Sequence, residues 1–459
     1  MKLINKISNT KFTLEGFFEE DKLEKKFKNI LVSKNAITEY VEQNKAFICL
    51  GSTKTYNLDT LKNIINKISK LQTRDYQIIA KTFVEKNISL EIVVNKFIDI
   101  DEYVNGEGLY SAKTSKPNKK QNLTLFVEDS KIAKKSEDTL KIAKLVNNAR
   151  RLQATPPNIC NSEWLANEIK ESFKSIKSSK FKINILDKKQ IEKEKMNLFL
   201  SVNKGSAFEP RLVVVEYNGN PNSKDKIALI GKGITFDSGG YNLKGSPHIK
   251  GMKYDMSGAA ICASAIKGII ELDLKVNVCC VLPLTDNKIS SDAQTPDSIW
   301  TSMSGKTVEV NNTDAEGRLI LADAITYAIK KFNPSQIIDV ATLTGAIIIS
   351  LGTTFTGAWS TCDKSYAKLL LAANKQDELI WRMPFHNDFI KNIKSSSFAD
   401  YKNTDLSGKG GSISAAMFLK EFTEDKKYIH LDIAGTGGDE DHPTGVMVKT
   451  LIQFAIENQ

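Results

Sequence analysis

Asn311-Asn-Thr-Asp-Ala-Glu-Gly-Arg318 separates a β-branched run, Thr307 to Val310, from an apolar-periodic segment, Leu319 to Phe332. The first has the composition of a strand and the second the period of a helix, so two acids and an arginine stand at a strand-to-helix turn. Open α/β sheets keep their ligand-binding chemistry at such turns. Thr313 and Glu316 also have the spacing of a capping box, in which hydroxyl and carboxylate occupy free amides at a helix start. Taken alone, that reading is the simpler one. A second polar cluster changes the balance: Gly231-Lys-Gly-Ile-Thr-Phe-Asp-Ser-Gly-Gly240, then Lys244, then Met252-Lys-Tyr-Asp-Met256. Carboxylates, cations and tight glycines are thereby concentrated in one half of the chain.

From Ile183 onward apolar strands alternate with helices: Val213 to Tyr217, Ile227 to Ile230, helix Gly258 to Leu272, strand Val276 to Leu282, helix Gly317 to Phe332, strand Ile337 to Val340. This alternation predicts an α/β fold whose larger domain is a mostly parallel or mixed sheet with helices on both faces. Lys232 and Asp237 follow the strand ending near Ile230, and Asp314 follows Val310, so both clusters can meet at one sheet edge. Upstream, Ala46 to Gly51, Tyr76 to Lys81 and Leu123 to Val127 read as strands and Leu58 to Leu71 as an amphipathic helix. The lysine-rich stretch Thr114 to Gln121 reads as a loop. Asp138 to Gln153 reads as one long helix closing at Thr155-Pro-Pro-Asn158. The expected division is a smaller N-terminal α/β domain over 1–135, a linker helix over 136–155 and the larger domain over 156–459.

Composition limits the alternatives. With 41% hydrophobic and 26% charged residues over 459 positions, the chain has the balance of a soluble globular protein of two or three domains. No apolar run approaches the roughly 20 residues of a membrane span. The N-terminus, Met-Lys-Leu-Ile-Asn-Lys-Ile-Ser, lacks the continuous apolar core of a signal peptide, and a cytoplasmic location is expected. Six cysteines (49, 160, 262, 279, 280, 362) show neither C-x-x-C spacing nor a disulfide framework. Four scattered histidines (248, 386, 430, 442) form no H-E-x-x-H or Cys/His cage, so any metal must be held mainly by oxygen. The net charge of +10 raises nucleic-acid binding as an alternative. Its lysines are spread along the whole chain, however, rather than gathered on one stripe.

Together the two clusters resemble the leucine aminopeptidase, or cytosol aminopeptidase, family of dinuclear metallo-exopeptidases. Asn312 to Arg318 carries that family's Asn-Thr-Asp-Ala-Glu-Gly-Arg signature without substitution. The similarity continues through Asp339-Val-Ala-Thr-Leu-Thr-Gly-Ala346, Trp381-Arg-Met-Pro384 and His430-Leu-Asp-Ile-Ala-Gly-Thr436, roughly the C-terminal two thirds. Two departures stand out: Gly245 occupies the place of a proline, and one extra residue separates Arg318 from Thr342.

The resemblance implies two divalent cations per subunit, manganese or zinc. It implies Asp237 and Glu316 as bridging ligands, Lys232 and Asp255 at the tighter site, and Asp314 at the more exchangeable one. Hard cations favour such carboxylate oxygens. As a ligand Lys232 must be deprotonated, which burial and neighbouring dications favour. Lys244 is implied as the charged catalytic lysine at the oxyanion, and Arg318 as the second catalytic residue, holding a bicarbonate that shuttles protons; a planar anion suits a guanidinium. Met252, Thr342 and Gly345 are implied to line the first-residue pocket, with Leu343 on the substrate backbone. Met is also a common core filler.

The function implied is hydrolysis of N-terminal residues, preferably large and apolar, from peptides with a free N-terminus. A homohexamer is implied as well. The apolar segments Thr342 to Leu351 and Thr353 to Trp359 suit an assembly, although burial within one chain would explain them equally. The competing readings are a DNA-binding architectural protein on the same fold and a catalytically dead homologue.

Overall fold

The computed structural model describes residues 1–71, 74–106, 109–114, 122–439 and 442–459. It divides into two compact units, Met1–Asn147 and Asn148–Gln459. The division falls inside a single helix, Ser130–Ala154, which begins before the expected linker helix and ends one residue short of it. Residues 115–121 of the expected lysine-rich loop lie outside the described residues.

The N-terminal unit carries six strands: β1 (Lys2–Ile4), β2 (Phe12–Phe17), β3 (Ile37–Tyr40), β4 (Lys45–Cys49), β5 (Tyr76–Ile79) and β6 (Thr124–Phe126), in the order β1-β6-β5-β2-β4-β3. All pairings are parallel except β3 with β4. Helix Leu58–Lys70 begins where the Asn57 side chain accepts from Thr60 N at 2.9 Å, and it buries Leu61, Ile64, Ile65 and Ile68. That i, i+3, i+4, i+7 spacing makes one apolar stripe. β5 stops at Ile79, two residues before the strand read from sequence, because Ala80–Phe83 tightens into a 3₁₀ turn.

The larger unit contributes β7 (Phe181–Leu186), β8 (Arg211–Asn218), β9 (Lys226–Gly231), β10 (Gly233–Asp237), β11 (Asn277–Asn287), β12 (Ser298–Thr301), β13 (Thr307–Val310), β14 (Gln336–Ala341), β15 (Thr356–Ser360), β16 (Ile380–Arg382), β17 (Tyr401–Lys402) and β18 (Lys427–Asp432). Its main sheet runs β16-β15-β18-β14-β9-β11-β8-β7, with β10 added on β11. The centre, β18-β14-β9-β11, is parallel, while β15 on β18 and the β11-β8-β7 flank are antiparallel, so the sheet is mixed. Helices Ser257–Glu271 and Gly317–Phe332 bury almost their whole length. Two-sided burial accounts for the unbroken apolar runs in β9, β11 and β14.

One expectation is corrected. β13, which leads into the 311–318 turn, is not in the main sheet; it belongs to a separate three-stranded sheet, antiparallel to β12 and parallel to β17. The turn therefore does not leave the carboxyl end of a main-sheet strand. It reaches that edge from the side, because helix Gly317–Phe332 packs back on β9, β11 and β14.

Candidate metal centre and active-site cavity

Lys232 sits between β9 and β10, its amide on Val340 O (3.0 Å) and its carbonyl taking Ala259 N (2.8 Å). Both main-chain groups being held, the side chain has a fixed origin at the carboxyl edge of the sheet. β10 pairs with β11 through a register shift between Ile234 and Asp237, an irregularity of the kind that re-aims a side chain. Asp237 then takes Gly239 N at 2.9 Å and Asn287 Nδ2 at 2.8 Å on one oxygen. Asp255 lies on the 3₁₀ turn Met252–Met256 that opens helix Ser257–Glu271. Glu316 stands immediately before helix Gly317–Phe332. Gly317 is needed there, since a Cβ would lie 2.4 Å from Lys232 Cε.

These elements bring Asp237, Asp255 and Glu316 together, all buried, with one oxygen from each within 4.8 Å of the others. Lys232 Nζ is 2.6 Å from Asp255 Oδ1 and 2.9 Å from Glu316 Oε1, and it donates to Thr342 O at 2.8 Å. Burial opposes the Lys232 ammonium, but Asp255, Glu316 and Asp237 outweigh it and raise the pKa. These carboxylates thus hold the lysine charged. Its expected neutral form requires the cations themselves to supply the positive charge. Burial pushes the carboxyls of Asp255 and Asp237 above their usual range, with Glu316 adding to the effect and the lysines opposing it.

Asp314 stands apart from the three, more exposed, and is joined to them by Lys244. Its Nζ lies 2.5 Å from Asp314 Oδ1 and 2.9 Å from Asp237 Oδ2. The loop carrying Lys244 is locked to the turn carrying Asp314: Thr313 Oγ1 donates to Gly239 O at 2.6 Å, Asn242 N donates to that hydroxyl at 2.9 Å, and Thr313 N donates to Asn242 Oδ1 at 2.8 Å. Gly239 has φ +89°, and a Cβ there would come within 2.9 Å of Asp314 Oδ1. Thr313 is therefore spent on the loop. No side chain caps the helix after it, so the capping-box reading does not hold.

A cavity of about 750 Å³ opens over this cluster. Lys232, Asp237, Lys244, Asp255, Asp314 and Glu316 line it, as do Met252, Thr342, Leu343 and Gly345. Thr342 also donates to Asp255 Oδ1 at 2.8 Å. Arg318 is not on the cavity wall. It is buried, and Nη1 donates to Asn403 O at 2.9 Å; its guanidinium bridges neither Asp314 nor Asp323, the partners a helix-surface arginine would take. Burial lowers its pKa to about 10, against the pull of Glu316 and Asp432, so it stays charged near neutrality.

An amino-acid chain that assembles this cluster on this sheet can be compared with known proteins. Residues 147–452 match the model of the cytosol aminopeptidase family, catalytic domain. The chain belongs to the cytosol aminopeptidase family. A probable cytosol aminopeptidase of Metamycoplasma salivarium is 42% identical over 471 aligned positions, covering 100% of this chain and 88% of that protein. Similarly named proteins of Mycoplasma genitalium and Mycoplasma pneumoniae are 46% and 44% identical, covering 68% and 75% of this chain and 70% and 77% of their own lengths. The comparisons give the DNA-binding alternative no support.

Several residues that shape this cytosol aminopeptidase-family site carry no local signal in the sequence. Asn287 lies 50 positions from Asp237 and 26 from Thr313, and Asn403 lies 85 from Arg318, the groups they bond. Asp432 receives Leu343 N at 3.1 Å and Thr344 Oγ1 at 2.7 Å, fixing the 342–345 loop on the cavity wall. It stands inside the His430-to-Thr436 motif, which was readable as a motif but not as a support for Leu343. Asp339, from the 339–346 motif, and His430, from the same motif as Asp432, are register partners on β14 and β18 and bond at 2.7 Å.

Proposed function

We infer that this aminopeptidase-family chain is a two-metal, leucyl-type aminopeptidase that removes one residue at a time from peptides with a free N-terminus. The single observation that carries the reading is that ten residues named from the two sequence clusters and the 342–345 segment line one cavity. Two divalent cations, manganese or zinc, fit the residues present. Asp255 Oδ2 and Glu316 Oε2 are buried with no hydrogen-bond partner, which is costly unless something positive completes them. The four carboxylates pair with two lysine ammonium groups, Lys232 and Lys244, and hard oxygen donors suit hard cations. Asp237, Asp255, Glu316 and Lys232 would hold one ion, and Asp237, Glu316 and Asp314 the other. When bound, the cations would polarise the scissile carbonyl and acidify water.

The protein's own groups do the rest. Lys244, anchored between Asp237 and Asp314 at the cavity wall, is the cation that meets negative charge developing on the carbonyl oxygen. Leu343, pinned through Asp432, orients the substrate backbone, and Met252, Thr342 and Gly345 border the first side chain. The thioether wall suits large apolar residues. Arg318 would hold a bicarbonate that serves as a proton shuttle; its Nε is buried without a partner, which leaves a donor for that anion.

A homohexamer in the cytoplasm completes the proposal. No helix among the described residues is long and apolar enough to cross a membrane. Of the segments considered for assembly, β15 is entirely buried within the chain, whereas Ile349 is 91% exposed and Ile348 42%. The domain boundaries of the active enzyme are proposed as 1–135, 136–155 and 156–459.

The test is amino-acid release from matched free and N-acetylated peptides, with manganese and with a chelator. Release from the free peptides alone, lost on chelation, is expected. Equal cleavage of the acetylated peptides, or indifference to chelation, would overturn the reading.

A further inference from the structure

The turn from Asn311 to Glu316 carries two candidate ligands and leads into the candidate shuttle residue, yet its own backbone belongs to neither a sheet ladder nor a helix. Buried amides and carbonyls of that kind must find partners elsewhere. Four of them find one in a single side chain. Asn403, 0% exposed on the segment after β17, accepts from Asn311 N at 2.9 Å and Asn312 N at 3.2 Å. Its Nδ2 donates to Asn312 O at 2.7 Å and to Ala315 O at 3.3 Å. Its main-chain carbonyl takes Arg318 Nη1 at 2.9 Å, and its amide donates to Glu309 O at 2.9 Å.

The contact is reciprocal. Asn311 Nδ2 donates to Thr404 O at 3.1 Å, and Thr404 N donates to Asn311 Oδ1 at 3.2 Å. Two asparagines thus clasp two backbones, and an amide is the side chain that supplies donors and an acceptor together.

We propose that Asn403 is a positioning residue of the aminopeptidase, holding the 311–315 turn in the shape that aims Asp314 and Glu316 at the metals while its carbonyl sets Arg318. The proposal rests on the two-metal reading above. Its physical basis is tolerance. A site built for chemistry needs its groups within about 0.5 Å of the productive geometry, held by a well-bonded supporting layer. Asn312, the residue Asn403 grips at both N–H and C=O, in turn fixes Asp314, whose amide donates to Asn312 Oδ1 at 2.9 Å. A shift at Asn403 therefore passes directly to a ligand.

The decisive variant is Asn403→Asp in the full-length protein. It keeps the volume and the acceptor but turns the donor that serves Asn312 O and Ala315 O into a second acceptor. Manganese affinity, measured by competition with a chelating dye, and kcat on leucine p-nitroanilide at saturating manganese should each fall by about 10- to 100-fold, the usual effect of disturbing a residue behind metal ligands. KM should change little, because the first-residue wall is untouched. Removing Arg318 should cost less in the variant than in the parent.

A folded Asn403→Asp protein that binds manganese and turns over like the parent would overturn the proposal. So would one whose only defect is a lower melting temperature. Should Asn403→Asp not fold, Asn311→Ala decides: it removes only the half-exposed arm of the clasp, and unchanged affinity and kcat there would equally overturn the idea. Failure of the aminopeptidase reading is seen separately, as a parent protein without chelator-sensitive hydrolysis.

Discussion

Lys232 Nζ lies 2.6 Å from Asp255 Oδ1, and both side chains are almost completely buried. The ammonium occupies the middle of a carboxylate cluster that, in the enzyme proposed here, takes cations. Removing one partner of a buried pair strands the other and typically costs about 3–5 kcal/mol. Lys232→Met should therefore destabilise the chelator-treated protein by that order, read from its denaturant midpoint. An unchanged midpoint would mean that the pair does not hold the metal-free cluster together.

Divalent cations should raise the stability of the parent protein. At a manganese concentration about 100 times its Kd, linkage gives roughly 2.7 kcal/mol per site, visible as a higher Tm. Asp255→Ala and Glu316→Ala should lose both this increment and peptide hydrolysis, since neither site has a histidine to substitute. Full activity in either purified variant would sink the ligand assignment.

Lys244→Ala and Arg318→Ala should behave differently from the ligand variants. Elemental analysis is expected to find both metals retained. Loss of one oxyanion donor commonly lowers kcat by about 10² to 10³, and Lys244→Ala should fall in that range. Metal loss from Lys244→Ala would contradict its role, because its Nζ bridges Asp237 and Asp314 without being a proposed ligand.

Acidity should act through His430. Burial opposes its charge, but Asp339 at 2.7 Å, which also accepts from Tyr428 OH at 2.6 Å, outweighs that; Asp432 adds to the effect and Arg318 opposes it, and the pKa rises above 6.5. The folded state thus holds this proton more tightly than the unfolded chain. Its stabilisation is full below pH 6.5 and is lost as pH climbs through the folded value. Denaturation midpoints across that window should show the decline in the parent, and Asp339→Asn should flatten it. A parent curve rising with pH there would refute the pairing.

Assembly should depend on the exposed aliphatic pair at the helix Gly345–Leu351. Ile349, 91% exposed, is costly to leave in water beside Ile348. Light scattering is expected to give a hexamer for the parent and a smaller species for Ile349→Asp. A fully active monomeric parent would show that the hexamer is not required.

The asparagine clasp shows where sequence reading stops. Asn311 is inside the most legible stretch of the chain, and Asn403 is in an unremarked one, because nothing in spacing or composition links positions 92 residues apart. The separate small sheet holding β13 is a similar case. A β-branched run declares a strand, but which sheet it joins is settled by the partners that it meets.

By itself the sequence determined the α/β class, the flanking strands and helices such as Ile227 to Ile230 and Gly317 to Phe332 though not the strand Gly233–Asp237 that carries Asp237, and the carboxylates and lysines that line the cavity. Those follow from local periodicity and from an uninterrupted motif, both properties of neighbours along the chain. Only the tertiary structure decided that Thr313 locks the Lys244 loop instead of capping a helix. It alone turned Arg318 onto a distant carbonyl and gave Lys232 a charge-holding cage. Each of these is a competition among partners for one donor or one proton, and the winner depends on which groups folding buries side by side.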